Sequence, residues 1–222
     1  MTSEQNSLPL TVDIVSDVVC PWCIIGYKQL QKALATMPGR FDVRINWHPF
    51  ELNPQMPPEG QNLREHVAQK YGSTAEQSRA ARDRLAQLGE SLGFRFNYGD
   101  DMRMVNTFRA HQLLHWAAEQ GLQTELKLAL FAAFFTEGED VSDSDVLVRV
   151  AESVGLGAEQ ARVVLSSGSY AEVVRAEQRH WIEQEVYAVP TFQFNGKYQV
   201  PGAQEAETFV RVLDKLYAQE AA

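Results

Sequence analysis

The hydrophobic period of this chain changes twice along its length, and each change marks a switch of structure type. LTVDIVS, at 10–16, is rich in β-branched residues and reads as a strand. FDVRINWHPFEL, at 41–52, starts with alternation and reads as a second strand whose regular part ends at Pro49. Between them a helix is predicted from Pro21 to Ala35, stopped before Pro38 and Gly39. NPQMPPEGQ, at 53–61, is a Pro- and Gly-rich boundary. From there to about 187 the spacing is helical, with helices predicted over 62–71, 74–92, 106–119, 122–136, 143–154, 158–166 and 169–187. Gly72, Gly93 and Gly121 close the first three. LKLALFAAFF, at 126–135, is apolar nearly all round, which places it in the middle of this helical part. Then VPTFQFNGKYQVPGA, at 189–203, returns to extended runs around Asn195-Gly196, a strong hairpin signal. A last amphipathic helix, 204–219, carries Phe209, Val212, Leu213 and Leu216 on one side. The order is βαβ, a helical block, then ββα. The first three elements open a parallel βαβ unit, and there is no internal repeat.

A chain of 222 residues, 45% hydrophobic and 22% charged, is long enough to bury a sizeable core in one domain or two small ones. Its net charge of −9 makes a phosphate backbone a poor partner, so nucleic acid is not expected. Arg79, Arg82 and Arg84 are interleaved with acids and amides and read as a solvated helix face rather than an anion site. The N-terminal stretch MTSEQNSLPLTVDIV has no cationic region, and Asp13 and Asp17 interrupt the apolar run. No secretory signal and no membrane span are expected, and the expected compartment is the cytoplasm.

Both cysteines of the chain fall within VVCPWCIIG, two residues apart, where the first strand meets the first helix. In a reducing compartment a structural disulfide is disfavoured, which leaves three chemistries open. The first is a redox dithiol. Pro21 suits the first helical position, so Cys20 sits at the N-cap side, facing unpaired N–H groups and the positive end of the dipole. That field favours thiolate, making Cys20 an exposed nucleophile. Cys23, one turn inward, is the buried thiol that resolves the mixed disulfide. The second is half of a zinc site, with His111 and His115 of HQLLH as further ligands, though there is no second cysteine pair. The third is a pair of small core hydrophobes.

Taken together, the strand feeding Cys20-Pro21-Trp22-Cys23, the helical block, and Val189-Pro190 entering a hairpin resemble the DsbA-like branch of the thioredoxin superfamily. SDVVCPWCIIG (16–26), PFELNP (49–54), NTFRAH (106–111) and AVPTFQFNGKYQVPGAQ (188–204) are similar to the FrnE-like subgroup, so the likeness covers essentially the whole chain. It implies an α/β thioredoxin fold (βαβ…ββα) interrupted by a large all-α insertion. The expected parts are 1–61 and 171–222 for the thioredoxin unit and 62–170 for the insertion. It implies a cis Pro190, with the Val189 backbone beside Cys20 ready to pair with an extended substrate. It also implies a buried acid serving as proton acceptor for Cys23. Asp13 is favoured over Asp17, which is left to cap the turn. His48 is a second proton carrier or a structural strand-end histidine. Asn106 and His111 are placed near the cleft, Asn106 also fitting an N-cap. Trp22 stands where the periplasmic oxidase has histidine, which implies a less oxidising dithiol. It also serves either as a substrate contact or as packing at the domain junction.

The function implied is thiol–disulfide exchange with protein or small-molecule thiols and disulfides. No metal or bound cofactor is expected, and glutathione is expected as a co-substrate. Hydroxychromene-carboxylate isomerases and kappa-class glutathione transferases are related by the same interrupted fold. They hold glutathione with a single Ser or Cys, so Cys23 speaks against that alternative. A non-enzymatic binding module or metal sensor anchored on the dithiol is the third reading.

Overall fold

The structure is a computed structural model that describes residues 7–220. Strand β1 (Leu8–Ser16) lies at the centre of a four-stranded sheet. It pairs in parallel with β2 (Phe41–Pro49), from Leu8 opposite Phe41 to Ser16 opposite Pro49. On its other side it pairs antiparallel with β5 (Thr191–Phe194), which continues into β6 (Tyr198–Pro201). The order β2-β1-β5-β6 is the thioredoxin arrangement. A central strand is covered on both faces and both edges, and β1 accordingly buries Leu10, Val12, Ile14 and Val15. The Asn195-Gly196 turn has φ of 49° and 65°, the pair of left-handed residues that a tight hairpin needs.

Helices α1 (Pro21–Ala35) and α9 (Ala206–Glu220) pack together beside the sheet. Helix α1 meets the sheet so closely that a Cβ at Gly26 would come within 3.0 Å of the Phe192 ring. The chain between β2 and β5 supplies α2 (Leu63–Tyr71), α3 (Ala75–Ser91), α4 (Phe108–Glu119), α5 (Gln123–Phe135), α6 (Ser144–Ser153), α7 (Ala158–Ser167) and α8 (Ala171–Glu183). Of these, α4, α5 and α8 pack against β2. The outer edge of β2 is tied down by the Gln123 side chain. It accepts from Trp47 N–H and donates to Trp47 C=O, both at 2.9 Å. Helix α5 is central, as its all-round apolar pattern implies, with Leu126, Leu130, Phe131, Phe134 and Phe135 buried. One continuous cluster of buried side chains joins the sheet to these helices. No helix among the described residues is long and apolar enough to cross a membrane.

Two features depart from the sequence pattern. Gln61–Asn62 (β3) and Arg103–Met104 (β4) form a small antiparallel ribbon that closes the α2–α3 pair against the rest. A two-residue strand has no period to detect. The helix expected over 169–187 ends instead at Glu183, because Glu185 adopts a left-handed φ of 61° and Val186 N–H bonds back to Trp181 C=O at 3.0 Å. That is a helix stop normally signalled by glycine, and here glycine is absent.

Candidate active site

Cys20 is the N-cap of α1, in extended conformation with Pro21 at the first helical position, as the motif predicts. Its environment differs from the expectation. Cys20 is only 4% exposed and Cys23 is fully buried. No backbone N–H caps the Cys20 sulfur; instead its thiol donates to the Val189 carbonyl at 3.8 Å. That carbonyl lies just ahead of β5, and the Val189–Pro190 bond is cis, as the resemblance implies.

The anion expected on Cys20 is favoured on Cys23 instead. The neighbouring Cys23 sulfur pushes the Cys20 pKa well up, helped by burial and by the negative charge of Asp17, and the Cys23 backbone N–H opposes them only in part. Burial opposes ionisation of Cys23, but the adjacent Cys20 thiol, the nearby Ser16 hydroxyl, the charge of Lys127 and the Asp17 backbone lower its pKa overall. Ser16 Oγ is buried and has no hydrogen-bond partner among the described residues.

The buried acid at the dithiol is Asp17, not Asp13. Asp17 is fully buried, accepting from Leu52 N–H at 2.8 Å and lying 3.3 Å from His111 Nε2. Burial pushes its pKa up, but the contacts to His111 and Leu52 and the charge of Lys127 more than reverse this, and the pKa is lowered. His111 also donates Nε2–H to the Phe50 carbonyl at 2.9 Å. Lys127 projects from apolar α5 and is fully buried, its ammonium 5.3 Å from the Trp47 ring and 5.2 Å from that of Phe131. Its nitrogen has no hydrogen-bond partner among the described residues, and burial brings its pKa down to about 8. The signal is present in the sequence as a lone lysine within LKLALFAAFF.

Asp13 belongs to a neighbouring network. His48 Nε2 lies 2.9 Å from Asp13 and Nδ1 lies 2.5 Å from Glu177, which also meets His115 at 3.3 Å. Burial alone would lower the His48 pKa, but both carboxylates raise it. A void of about 10 Å³ separates this network from Lys127 and His111. It has the room of a single water. The two histidines of HQLLH thus serve different acids rather than one ligand position. Asn106 is not brought to the site. Its side chain accepts from Phe108 N–H at 2.9 Å and caps the start of α4.

On its other side Cys20 lines a cavity of about 450 Å³ under α2 and α3. Pro21, Trp22 and Val189 form its near wall, and Trp22 is 44% exposed at the mouth. Leu63, Val67, Leu85, Phe134 and Phe135 form apolar wall beyond them. Arg82, expected on a solvated face, lines this cavity, and with Arg79 it also lines an adjoining one; Arg84 lines neither.

Known proteins share this frame. A model of the DSBA-like thioredoxin domain matches residues 11–214. The uncharacterised protein YwbO of Bacillus subtilis (strain 168) is 30% identical over 203 residues, covering 91% of this chain and 94% of that protein. The crystal structure of a probable DsbA oxidoreductase from Streptomyces coelicolor superposes with a TM-score of 0.89 at 34% identity, over 94% of this chain and 90% of that one. A 2-hydroxychromene-2-carboxylate isomerase shares the fold, with a TM-score of 0.68 at 18% identity over 95% and 98% of the two chains. The domain match begins inside β1 and ends inside α9, so it takes in both halves of the sheet and all the helices between them, and the chain belongs to the DsbA-like thioredoxin family of oxidoreductases.

Proposed function

We propose that this protein is a thiol–disulfide oxidoreductase that exchanges disulfides through Cys20 and Cys23. The observation that carries this is the contrast between two free sulfurs on one helical turn: one opens on a cavity, the other is sealed among groups that favour its anion. A disulfide entering the cavity meets Cys20. As Cys20 attacks one substrate sulfur, its proton passes to Cys23, and the other substrate sulfur leaves as thiolate. Cys23 then loses that proton to the leaving thiolate, attacks the Cys20 sulfur and closes the ring, and the second substrate sulfur leaves as thiolate and takes its proton from water. Two electrons pass from the dithiol to the substrate, and every step is reversible.

Val189 supplies a backbone edge for an extended partner once Cys20 has reacted and its thiol no longer donates to the Val189 carbonyl, so protein disulfides fit as well as small ones. Glutathione is the proposed thiol co-substrate, and the cytoplasm the proposed compartment. Indole at Trp22 cannot carry a charge beside the sulfurs, so the potential is proposed to lie below the roughly −120 mV of the periplasmic oxidase; a value at or above that overturns this point. The glutathione-dependent isomerase alternative leaves Cys23 and its buried partners without a task.

The test is insulin reduction with dithiothreitol. Cys20→Ser abolishes the activity, and Cys23→Ser accumulates mixed disulfides visible by mass spectrometry. Full activity in both variants would falsify the assignment.

A further inference from the structure

The cavity beside Cys20 has a charge character opposite to that of the chain around it. The chain holds 29 acidic and 20 basic residues. Yet no Asp or Glu among the described residues lines this cavity, while His66, Lys70 and Arg82 do. Neither Lys70 nor Arg82 forms an ion pair among the described residues. Lys70 Nζ donates to the Leu52 carbonyl at 2.9 Å and to Asn53 Oδ1 at 2.7 Å, and Arg82 Nη1 donates to Ser78 Oγ at 2.9 Å. Both cations, Lys70 exposed at the surface and Arg82 half-buried, are therefore held by neutral oxygens with no acidic partner among the described residues. Four lining groups carry unpaired buried polar atoms, Asn53 Nδ2, His66 Nε2, Ser73 Oγ and Tyr98 Oη; all but His66, whose Nδ1–H is used on Gln61 Oε1, donate in the neutral form. An adjoining cavity of about 290 Å³ shares Ser73, Ser78 and Arg82 with the first and adds Arg64 and Arg79, with Glu65 as its one acid among the described residues. Arg64 is paired with Asp100, which leaves Arg79 and Arg82 without an acid partner among those residues. The rest of the Cys20 cavity is apolar and aromatic, and its volume falls in the range of small-molecule sites.

We propose that this cavity binds small disulfides and thiols built from an apolar, ring-sized body and a carboxylate. The body lies against Val67, Leu85 and Phe134, the carboxylate is held by Lys70 and Arg82, and the sulfur is presented to Cys20. This rests on the thiol–disulfide reading and names a substrate class for it. A carboxylate brings negative charge and acceptor oxygens to a wall that holds two cations and unpaired donors and no acid among the described residues. A peptide such as glutathione is anionic but has no apolar body for the walls, and a cationic disulfide meets like charge. The chemistry is the exchange already written: one Cys20–substrate bond forms, the substrate S–S bond breaks, and Cys23 displaces the second thiol while the dithiol is oxidised.

The test is single-turnover oxidation of the reduced protein, followed by stopped flow at low salt. Four probes are used: dithiobis(nitrobenzoate), an aromatic dianion; dithiodipyridine, its uncharged counterpart; oxidised glutathione; and cystamine, a cation. Each rate is divided by that of the same probe with free dithiothreitol. The expected order places the aromatic dianion first. In the Lys70→Gln/Arg82→Gln double variant its advantage over dithiodipyridine falls about tenfold, the scale of charge pairing in a partly desolvated site. Arg82→Glu reverses the preference towards cystamine, and added salt weakens it in the wild type. An unchanged ratio in these variants overturns the anion site. Oxidised glutathione matching the aromatic dianion overturns the apolar half. Failure of every probe to oxidise Cys20 overturns the exchange chemistry itself, a different result from either.

Discussion

The two sulfurs of the motif are separated by one helical turn and by two kinds of surroundings. Cys20 faces a volume that admits a ligand, walled by hydrocarbon and edged with cations. Cys23 faces no open volume among the described residues; its neighbours are Asp17, Lys127 and Ser16, with His111 beyond Asp17. Both residues are buried, so exposure does not distinguish them. What distinguishes them is whether the burial is against space or against fixed charge. The helix dipole acts on both, yet the second sulfur, burial and the Asp17 carboxylate together favour the proton on Cys20. On this account access selects the attacking sulfur, and the charge on the sealed side prepares the second step.

The largest test of that contrast is Asp17. It is fully buried, so Asp17→Ala leaves the Leu52 N–H without its acceptor and Lys127 without a nearby negative charge, while His111 keeps the Phe50 carbonyl. Loss of about 2–3 kcal/mol in urea unfolding is expected. Because its folded pKa lies below the ordinary 3.8, the stability it contributes is fully present above about pH 4 and is lost as pH falls through the folded value. In the milder Asp17→Asn the negative charge beside Cys20 is gone. Alkylation of Cys20 should then extend to lower pH. A loss under about 1 kcal/mol in Asp17→Ala, with an unmoved alkylation profile in Asp17→Asn, would mean that the sealed side is packing alone.

Much of this architecture is legible because it is written in period and punctuation. The period-two runs, the Asn195-Gly196 turn and the glycine stops mark out the elements, and the Cys-Pro-Trp-Cys spacing locates the site. What is not legible depends on which residues converge from distant segments. Asp13 and Asp17 lie on the same approach to Cys20, and nothing in the string says that β1 turns Asp13 toward His48 while the loop tucks Asp17 beneath α1. Arg82 sits in a charged helical stretch that looks solvated until α3 is laid over the Cys20 cavity. A helix dipole acting alone would place the anion on Cys20. The Asp17 charge and the second sulfur, both supplied by the fold around the helix end, reverse that preference.

Lys127 provides the next test, with an effect of opposite sign on stability. Its ammonium has no acceptor among the described residues, and its two ring contacts offset only part of the cost of burial. A lysine whose folded pKa is about 8 against 10.5 binds its proton less tightly when folded, so stability rises with pH between those values and the full penalty applies below about 8. Lys127→Met fills the same space without the charge. At pH 7 it should stabilise the protein by about 2 kcal/mol while raising the Cys23 pKa and slowing release of the mixed disulfide. A variant that is less stable and resolves at the wild-type rate would remove Lys127 from the sealed side.

The smallest effect is expected at His48, and it locates the outer limit of that side. His48 lies between Asp13 and Glu177, across a one-water void from Lys127. Its folded pKa is raised above 6.5, so its contribution is fully present below pH 6.5 and is lost as pH rises through the folded value. Glu177 is half-buried, which alone would raise its pKa, but it is held down to about 2 by His115 and His48, so its contribution is present above 4.5 and is lost as pH falls through about 2. The two overlap fully between pH 4.5 and 6.5. His48→Gln should cost about 1 kcal/mol at pH 6 and much less at pH 9, read from urea midpoints at the two pH values. The pH at which Cys23 becomes alkylated should stay where it is, because the void interrupts the hydrogen bonds between His48 and the sulfur. A shift of that profile in His48→Gln would mean that a water in the void completes the path, and that the surroundings of Cys23 reach as far as Asp13 after all.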